Sequence, residues 1–326
     1  MALVELRAEG LYCPAGDFYI DPRAAVDRAV VTHAHSVVTN AVADRYLTAK
    51  PGHTLLRAQL GPQAIIESLE YAESRSLGDV RISLHPAGHI LGSAQVRIES
   101  GGEVWVVSGH YKLARDPTCA PYQPLRCHTF VTEASFALPI FRWPDSSEVR
   151  HAVQAWWNAN QQAGRATLLF THPVGQAQRL LAMLDPSIGR IYIHASIESV
   201  TSIYREQDLR LAPATLVGGA GDWRHALILA PPAAHGSAWA RRFGPASTAL
   251  ASGWMRIRGT RRRRSLDRGF VLSDHADWPA LLRAIEETGA ERILVTGGFR
   301  GPLTRWLQER GREARAIEAP FEEVEP

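Results

Sequence analysis

The stretch Val26-Asp27-Arg28-Ala29-Val30-Val31-Thr32-His33-Ala34-His35 joins a short apolar run to two histidines that are one residue apart. The apolar run predicts a short buried strand that ends just before the histidines. Two imidazoles past the end of one strand can turn toward the same metal ion, because histidine nitrogen is a common metal ligand. A His-x-His pair alone is a weak signal, so a metal site needs further ligands elsewhere in the chain.

Two more histidines follow the ends of apolar runs or turns in the same way. His89 lies in the segment Gly88-His89-Ile90-Leu91-Gly92-Ser93, and His275 lies in Ser273-Asp274-His275-Ala276-Asp277-Trp278 after the run Gly269-Phe270-Val271-Leu272. This repetition strengthens the prediction of a histidine-based site.

The pattern of apolar runs predicts two kinds of domain. Short runs such as Val104–Val107 and Phe130–Thr132 are separated by turns in the first 136 residues, which is typical of a strand-rich sandwich. From about Leu138, buried strands such as Ala166–Phe170 alternate with helical patterns such as Gly175–Leu184, which predicts a parallel α/β domain. After Trp254 the first pattern resumes. We therefore predict a first domain part over 1–137, an inserted domain over 138–255 and a closing part over 256–326.

These motifs together resemble the metallo-β-lactamase superfamily and, within it, the β-CASP nucleases. The match is closest to the bacterial DNA-ligase-associated exonucleases and covers nearly the whole chain. It is carried also by the segments Cys13–Asp21, Asp116–Pro121, Thr132–Phe136 and Ala249–Trp254. The resemblance implies an α/β fold, in which an αββα sandwich receives an inserted β-CASP domain. It also implies the trimming of DNA ends in repair, beside an ATP-dependent DNA ligase and a helicase.

The resemblance assigns metal ligands unevenly. His33, His35 and His89 match the three imidazoles of the first zinc. The positions that serve the second zinc carry other residues here, and they are Val37, Val38 and Gly297. The aspartate that would bridge the two ions is replaced by His110. The chain is therefore predicted to hold one ion, zinc or alternatively manganese.

The sequence leaves two arrangements of that ion open, beside the alternative that no metal binds. If His110 binds, four imidazoles close a tetrahedral shell, which is typical of structural zinc. If His110 stays out, three histidines and a water leave an open position, and zinc lowers the pKa of that water to about 7.

Two further residues match the family's acid pair. The resemblance implies that His275 protonates the leaving oxygen and that Glu133 orients it, a role that suits a side chain titrating near neutrality. The alternative is that the pair only ties two parts of the fold together by a hydrogen bond.

Contact with nucleic acid is predicted from arginines, which suit phosphate. The densest group lies on a predicted loop and consists of Arg256, Arg258, Arg261, Arg262, Arg263 and Arg264. Lys112 is predicted to meet a phosphate near the site. A solvated basic loop is the competing interpretation, because the net charge of the 326-residue chain is only +3.

Composition narrows the class of protein. Three cysteines, Cys13, Cys119 and Cys127, are too few for a disulfide framework. The chain shows neither a secretory signal pattern nor an apolar run of membrane-spanning length, so we expect a cytoplasmic protein without membrane partners. The leading hypothesis is a metal-dependent DNA exonuclease with one ion and reduced or absent activity. The alternatives are a non-catalytic DNA-binding or scaffolding protein and a mononuclear zinc hydrolase of another ester.

Overall fold

The computed structural model describes residues 2–36, 43–219 and 221–318, apart from the side chain of Arg261. In chain order the strands are β1 (Glu5–Arg7), β2 (Gly10–Cys13), β3 (Phe18–Ile20), β4 (Val26–Val30), β5 (Ala43–Ala49), β6 (Ile66–Leu69), β7 (Ser74–Leu77), β8 (Val80–Pro86), β9 (Ala94–Ser100), β10 (Glu103–Val107), β11 (Thr129–Glu133), β12 (Ala166–Phe170), β13 (Ile191–Ile193), β14 (Thr215–Leu216), β15 (Leu227–Ala230), β16 (Ala246–Ala251), β17 (Arg268–Phe270), β18 (Arg292–Thr296) and β19 (Glu313–Ala316). The helices are α1 (His53–Leu60), α2 (Ser146–Gln162), α3 (Gln176–Met183), α4 (Ala195–Glu206), α5 (Ala238–Arg241), α6 (Thr260–Arg263), α7 (Trp278–Thr288) and α8 (Arg300–Gln308). The α/β class predicted from the sequence is confirmed.

The chain divides into two compact units. The first comprises the described residues of Met1–Phe141 and His275–Glu325, and the second comprises Arg142–Asp274. The strand Arg268–Phe270 was predicted to belong to the closing part that starts at residue 256. It instead pairs in parallel with β16, in the sheet of the second unit.

The first unit contains two sheets that share one core. Their strand orders are β1-β2-β3-β4-β5-β6 and β19-β18-β11-β10-β9-β8-β7. Apolar residues from both, such as Phe18 and Ile20 of the first sheet and Ile82 and Val96 of the second, pack in one cluster. The outer face of the first sheet packs against α1 through Leu56, and that of the second against α7 and α8 through residues such as Leu281 and Leu303. The layers of this unit are therefore helix, sheet, sheet and helix.

The second unit has a parallel sheet with the order β14-β13-β15-β12-β16-β17. Helices α2, α3 and α4 cover one face, where Trp157 and Leu180 are fully buried. A second apolar cluster that includes Trp223 and Phe243 covers the other face. Buried on both faces, the central strand β12 (Ala-Thr-Leu-Leu-Phe) is nearly all apolar, as is typical of parallel sheets.

Candidate metal centre and active site

The predicted site residues follow the carboxyl ends of strands in the first unit. His33 and His35 follow β4, His89 follows β8, His110 follows β10, and Glu133 is the last residue of β11. Strands β10 and β11 are parallel, and β8 runs in the same direction because both β8 and β10 are antiparallel to β9. Their carboxyl ends therefore meet at one edge of the second sheet.

Four imidazoles converge at this edge. One ligand atom from each of His33, His35, His89 and His110 lies within 4.8 Å of all the others. The two Nε2 atoms of His35 and His89 are 2.9 Å apart, and the rings of His33 and His110 are 4.6 Å apart between centroids. Neighbouring nitrogens around a tetrahedral zinc are about 3.3 Å apart, since each zinc–nitrogen bond is about 2.05 Å. The donor set and its spacing therefore fit one divalent ion of the zinc type.

The protonation state of His89 favours metal binding. Burial, followed by the charges of His275 and the other cluster histidines, lowers the pKa of His89 well below its usual value. A neutral imidazole is the form that binds a metal, because the ligand nitrogen must offer a lone pair.

A hydrogen-bonded chain behind His33 was not found by sequence reasoning. Asp21 accepts hydrogen bonds from the amide of Thr32 (2.9 Å), from its hydroxyl (2.5 Å) and from the hydroxyl of Ser36 (2.7 Å). Burial raises the pKa of Asp21, and these donors oppose that rise. The Thr32 hydroxyl is also 2.8 Å from Nδ1 of His33. When Asp21 is ionised, this hydroxyl gives its one hydrogen to Asp21, so Nδ1 donates to the hydroxyl and the lone pair of His33 is on Nε2.

A second cluster shares His110 with the first. One ligand atom from each of His110, Glu133 and His275 also lies within 4.8 Å of the other two. Nδ1 of His275 is 3.1 Å from both carboxylate oxygens of Glu133, and Glu133 accepts hydrogen bonds from the amide of Tyr111 and the hydroxyl of Ser135. Burial alone would raise the pKa of Glu133, but His275 and His110 outweigh it and hold that pKa at about 2. The carboxylate is therefore ionised at neutral pH and can orient the ring of His275.

The positions predicted to have lost second-metal ligands are only partly described. Val37 and Val38 lie outside the described residues. Gly297 lies just past β18 and lines a cavity together with His33, His110 and Glu133. Gly297 offers no side-chain ligand to this cavity.

The environment of Lys112 does not support its predicted contact with a phosphate. Its side chain is only 1% exposed, and its ammonium donates a hydrogen bond of 2.6 Å to Asp116, whose side chain is 3% exposed. The amide of Lys112 donates to the carbonyl of Ala87, two residues before His89. Lys112 therefore supports the loop that carries His89 and does not offer its charge to a phosphate.

The predicted arginine group lies in the second unit and is partly helical. A 3-10 helix over Gly253–Arg256 and the short helix α6 replace much of the predicted loop. Arg256, Arg258, Arg262 and Arg263 are exposed, whereas Arg264 is half-buried. The side chain of Arg261 lies outside the described part of the chain.

Comparison with known proteins finds several relatives, among them a probable DNA ligase and an endoribonuclease. Over 95% of its length the chain is 31% identical to a probable DNA ligase of Opitutus terrae. Over 53% of its length it is 25% identical to cleavage and polyadenylation specificity factor 73 of Drosophila melanogaster. Over 48% it is 25% identical to the endoribonuclease ysh-1 of Neurospora crassa. No protein-family model matches the chain.

The chain corresponds to only part of each of these relatives. It spans 30% of the probable DNA ligase, 26% of the Drosophila factor and 19% of the Neurospora endoribonuclease. The endoribonuclease relative agrees with the nuclease-type function expected from the resemblance.

Among the residues that the structure describes, no helix has the length and apolar character needed to cross a membrane.

Proposed function

We propose that this protein is a metal-dependent phosphodiesterase of the metallo-β-lactamase and β-CASP nuclease family, and that it acts on DNA ends. In this proposal the two-sheet unit is the metallo-β-lactamase domain and the parallel-sheet unit is the inserted β-CASP domain. The order of layers in the first unit and the endoribonuclease relative support this assignment.

The observation that carries the proposal is the convergence of four imidazoles at the carboxyl edge of the second sheet. His33, His35 and His89 would hold one zinc ion, with His110 close enough to complete the shell. Bound zinc activates a water molecule for attack on an ester by lowering its pKa to about 7. Asp21 and Thr32 keep His33 in the tautomer that binds metal, and Glu133 orients His275 so that it can give a proton to a leaving oxygen.

DNA and a ligase context are supported by the ligase relative. Nearly the whole chain matches a segment that makes up 30% of a protein named as a probable DNA ligase. A segment like this chain and a ligase function in one polypeptide would act on the same DNA ends. We therefore propose an ATP-dependent DNA ligase as a functional partner, together with a helicase, as the family resemblance implies.

The activity is proposed to be weak. A second ion in two-metal nucleases shares the charge of the attacking and leaving oxygens. Loss of a single electrostatic donor from an active site costs on the order of 10²–10³ in rate, and loss of a divalent ion should cost at least as much. The glycine at position 297, which supplies no side-chain ligand, is consistent with this reduced activity.

Digestion of end-labelled single-stranded DNA tests the proposal. Chelator-treated protein should bind about one equivalent of zinc and then cleave slowly. A His33→Ala/His35→Ala variant should lose both properties, because it lacks two ligands of the ion. His151→Ala is the matched control, since His151 is exposed on α2 and belongs to neither histidine cluster. Zinc-dependent cleavage that persists in the double variant would refute the proposed site.

A second candidate function is DNA binding without catalysis. It is favoured by the lack of a side-chain ligand at Gly297 and by the exposed arginines of the second unit. The same assay separates the two functions, because a non-catalytic protein would bind the labelled DNA without cleaving it at any concentration of zinc or manganese.

A further inference from the structure

The cluster of His110, Glu133 and His275 contains the ligands of a metal site in its own right. Its three ligand atoms lie within 4.8 Å of one another, and only His110 is shared with the four-imidazole cluster. The rings of His110 and His275 are 4.5 Å apart between centroids. The carboxylate of Glu133 is 3.1 Å from Nδ1 of His275, which is close to the separation of two ligand atoms around one metal ion.

We propose that His110, Glu133 and His275 form a second, weaker cation site beside the four-imidazole cluster. This proposal changes the role of Glu133 and His275 from a proton-donating pair to metal ligands whenever the site is filled. It rests on the proposed function only in requiring that the four-imidazole cluster binds the first ion.

Charge favours an ion at this place. Four neutral imidazoles bind a divalent ion without offsetting its charge, whereas Glu133 supplies a negative charge beside the same cluster. Glu133 is buried, at 5% exposure, and is held in place by the amide of Tyr111 and the hydroxyl of Ser135. A buried carboxylate is stabilised by a nearby cation, so a second ion would bind where this charge already lies.

The ligand types indicate which ion fits. Two imidazoles and one carboxylate leave positions open for water or substrate, and carboxylate oxygen suits manganese better than a site of imidazoles alone does. The side chain of His275 is 14% exposed. The second site therefore has a ligand that solvent can reach, and we assign to it a divalent ion such as Mn²⁺.

His110 couples the two sites. A neutral imidazole binds one ion through one nitrogen, so His110 cannot complete the shell of the first ion while it binds the second. When the second site fills, the first ion keeps three histidines and gains an open position, as catalytic zinc sites have. Binding of the second ion would thus change a closed first site into an open one.

Metal titration of the full-length protein tests this inference without measuring activity. Protein loaded with one equivalent of Co²⁺ is titrated with Mn²⁺, and free Mn²⁺ is followed by its electron paramagnetic resonance signal. The wild type should remove one equivalent of Mn²⁺, and its cobalt absorption spectrum should change as His110 leaves the first ion. Glu133→Gln and His275→Ala should still bind Co²⁺, but their affinity for Mn²⁺ should fall at least about 10-fold.

The control variants and the outcomes separate this inference from the proposed function. Glu67→Gln changes a glutamate of β6 outside both clusters and should behave as wild type. Normal Co²⁺ uptake shows that each variant is folded. A cobalt-loaded wild type that binds no Mn²⁺, or a Glu133→Gln variant that binds it with unchanged affinity, would overturn the second site. Mn²⁺ uptake that depends on Glu133, in a protein that never cleaves DNA, would support the second site and refute the nuclease proposal.

Discussion

At the scale of single residues, the hydroxyl of Thr32 connects a buried carboxylate to a metal ligand. It donates to Asp21 and accepts from Nδ1 of His33, which keeps the lone pair of His33 on Nε2. We expect Thr32→Val, which has nearly the same shape, to lower zinc affinity by about 10–100-fold. Competition with a chromophoric chelator measures this affinity directly.

Thr48→Val is the matched control for this prediction. Thr48 is equally buried at 1% exposure, but its hydroxyl donates to the carbonyl of Val31 and contacts no cluster histidine. Thr48→Val loses one buried hydrogen bond, which costs about 1 kcal/mol of stability, whereas Thr32→Val loses two and costs more. Equal zinc affinities in the two variants would show that the hydroxyl of Thr32 has no role in tuning His33.

Residue identities were easier to predict than residue environments. The family resemblance identified Glu133 and His275 as a pair, and the structure places them 3.1 Å apart although 142 residues separate them in the chain. The burial of Lys112 against Asp116 was not predicted, because a lysine two residues after His110 suggests phosphate binding and the sequence alone does not reveal burial. The role of Asp21 was not predicted, since its hydrogen bond to Thr32 depends on strand pairing.

At the scale of elements, close backbone contacts hold the loop between β8 and β9, which carries His89. Gly92 has φ of +73°, and a Cβ atom there would be 2.1 Å from the backbone of Gly52. Gly92→Ala would therefore combine backbone strain with a steric clash, and we expect it to destabilise the protein by on the order of 3 kcal/mol. Urea denaturation, followed by a probe of the first unit such as Trp105, measures the loss.

Gly101→Ala provides the comparison within the same unit. Gly101 also has positive φ, at +56°, but nothing lies within 4 Å of its Cβ position. Its replacement should cost only the backbone strain, about 1 kcal/mol. If both variants unfold at the same urea concentration, the contact between Gly92 and Gly52 does not constrain the loop.

Local periodicity predicted most elements near the site. The predicted strands at Val104–Val107 and Phe130–Thr132 agree with β10 and β11. The partner of β17 could not be predicted, because three residues, Arg268–Phe270, carry no signal for which sheet they join. Its parallel pairing with β16, for example of Leu250 with Gly269, shows that this strand belongs to the second unit.

At the scale of the whole molecule, the small net charge is the sum of a positive charge on the second unit and a negative charge on the rest of the chain. Residues 142–274 contain 17 arginines and 9 acidic residues, whereas the remaining residues contain 19 basic and 24 acidic ones. The second unit therefore has a net charge of +8 and the rest of the chain −5, which together give the overall +3. A polyanion should be attracted mainly by the second unit, although the histidine clusters are in the first.

This division predicts which arginines determine the salt dependence of DNA binding. Replacing Arg256, Arg258, Arg262 and Arg263 by glutamine removes four exposed charges from the second unit. For single-stranded DNA, each lost phosphate contact should reduce the slope of log K against log salt by about 0.7, so the slope should fall by up to about 3.

Fluorescence anisotropy with a labelled oligonucleotide at several salt concentrations measures this slope. The control replaces four exposed arginines of the first unit by glutamine, namely Arg305, Arg310, Arg312 and Arg315. Both variants lower the net charge of the protein by the same amount, so a general charge effect would weaken binding equally in the two. If the slope of log K against log salt falls only in the second-unit variant, the phosphate contacts lie in that unit. An equal fall of the slope in both variants would contradict the prediction.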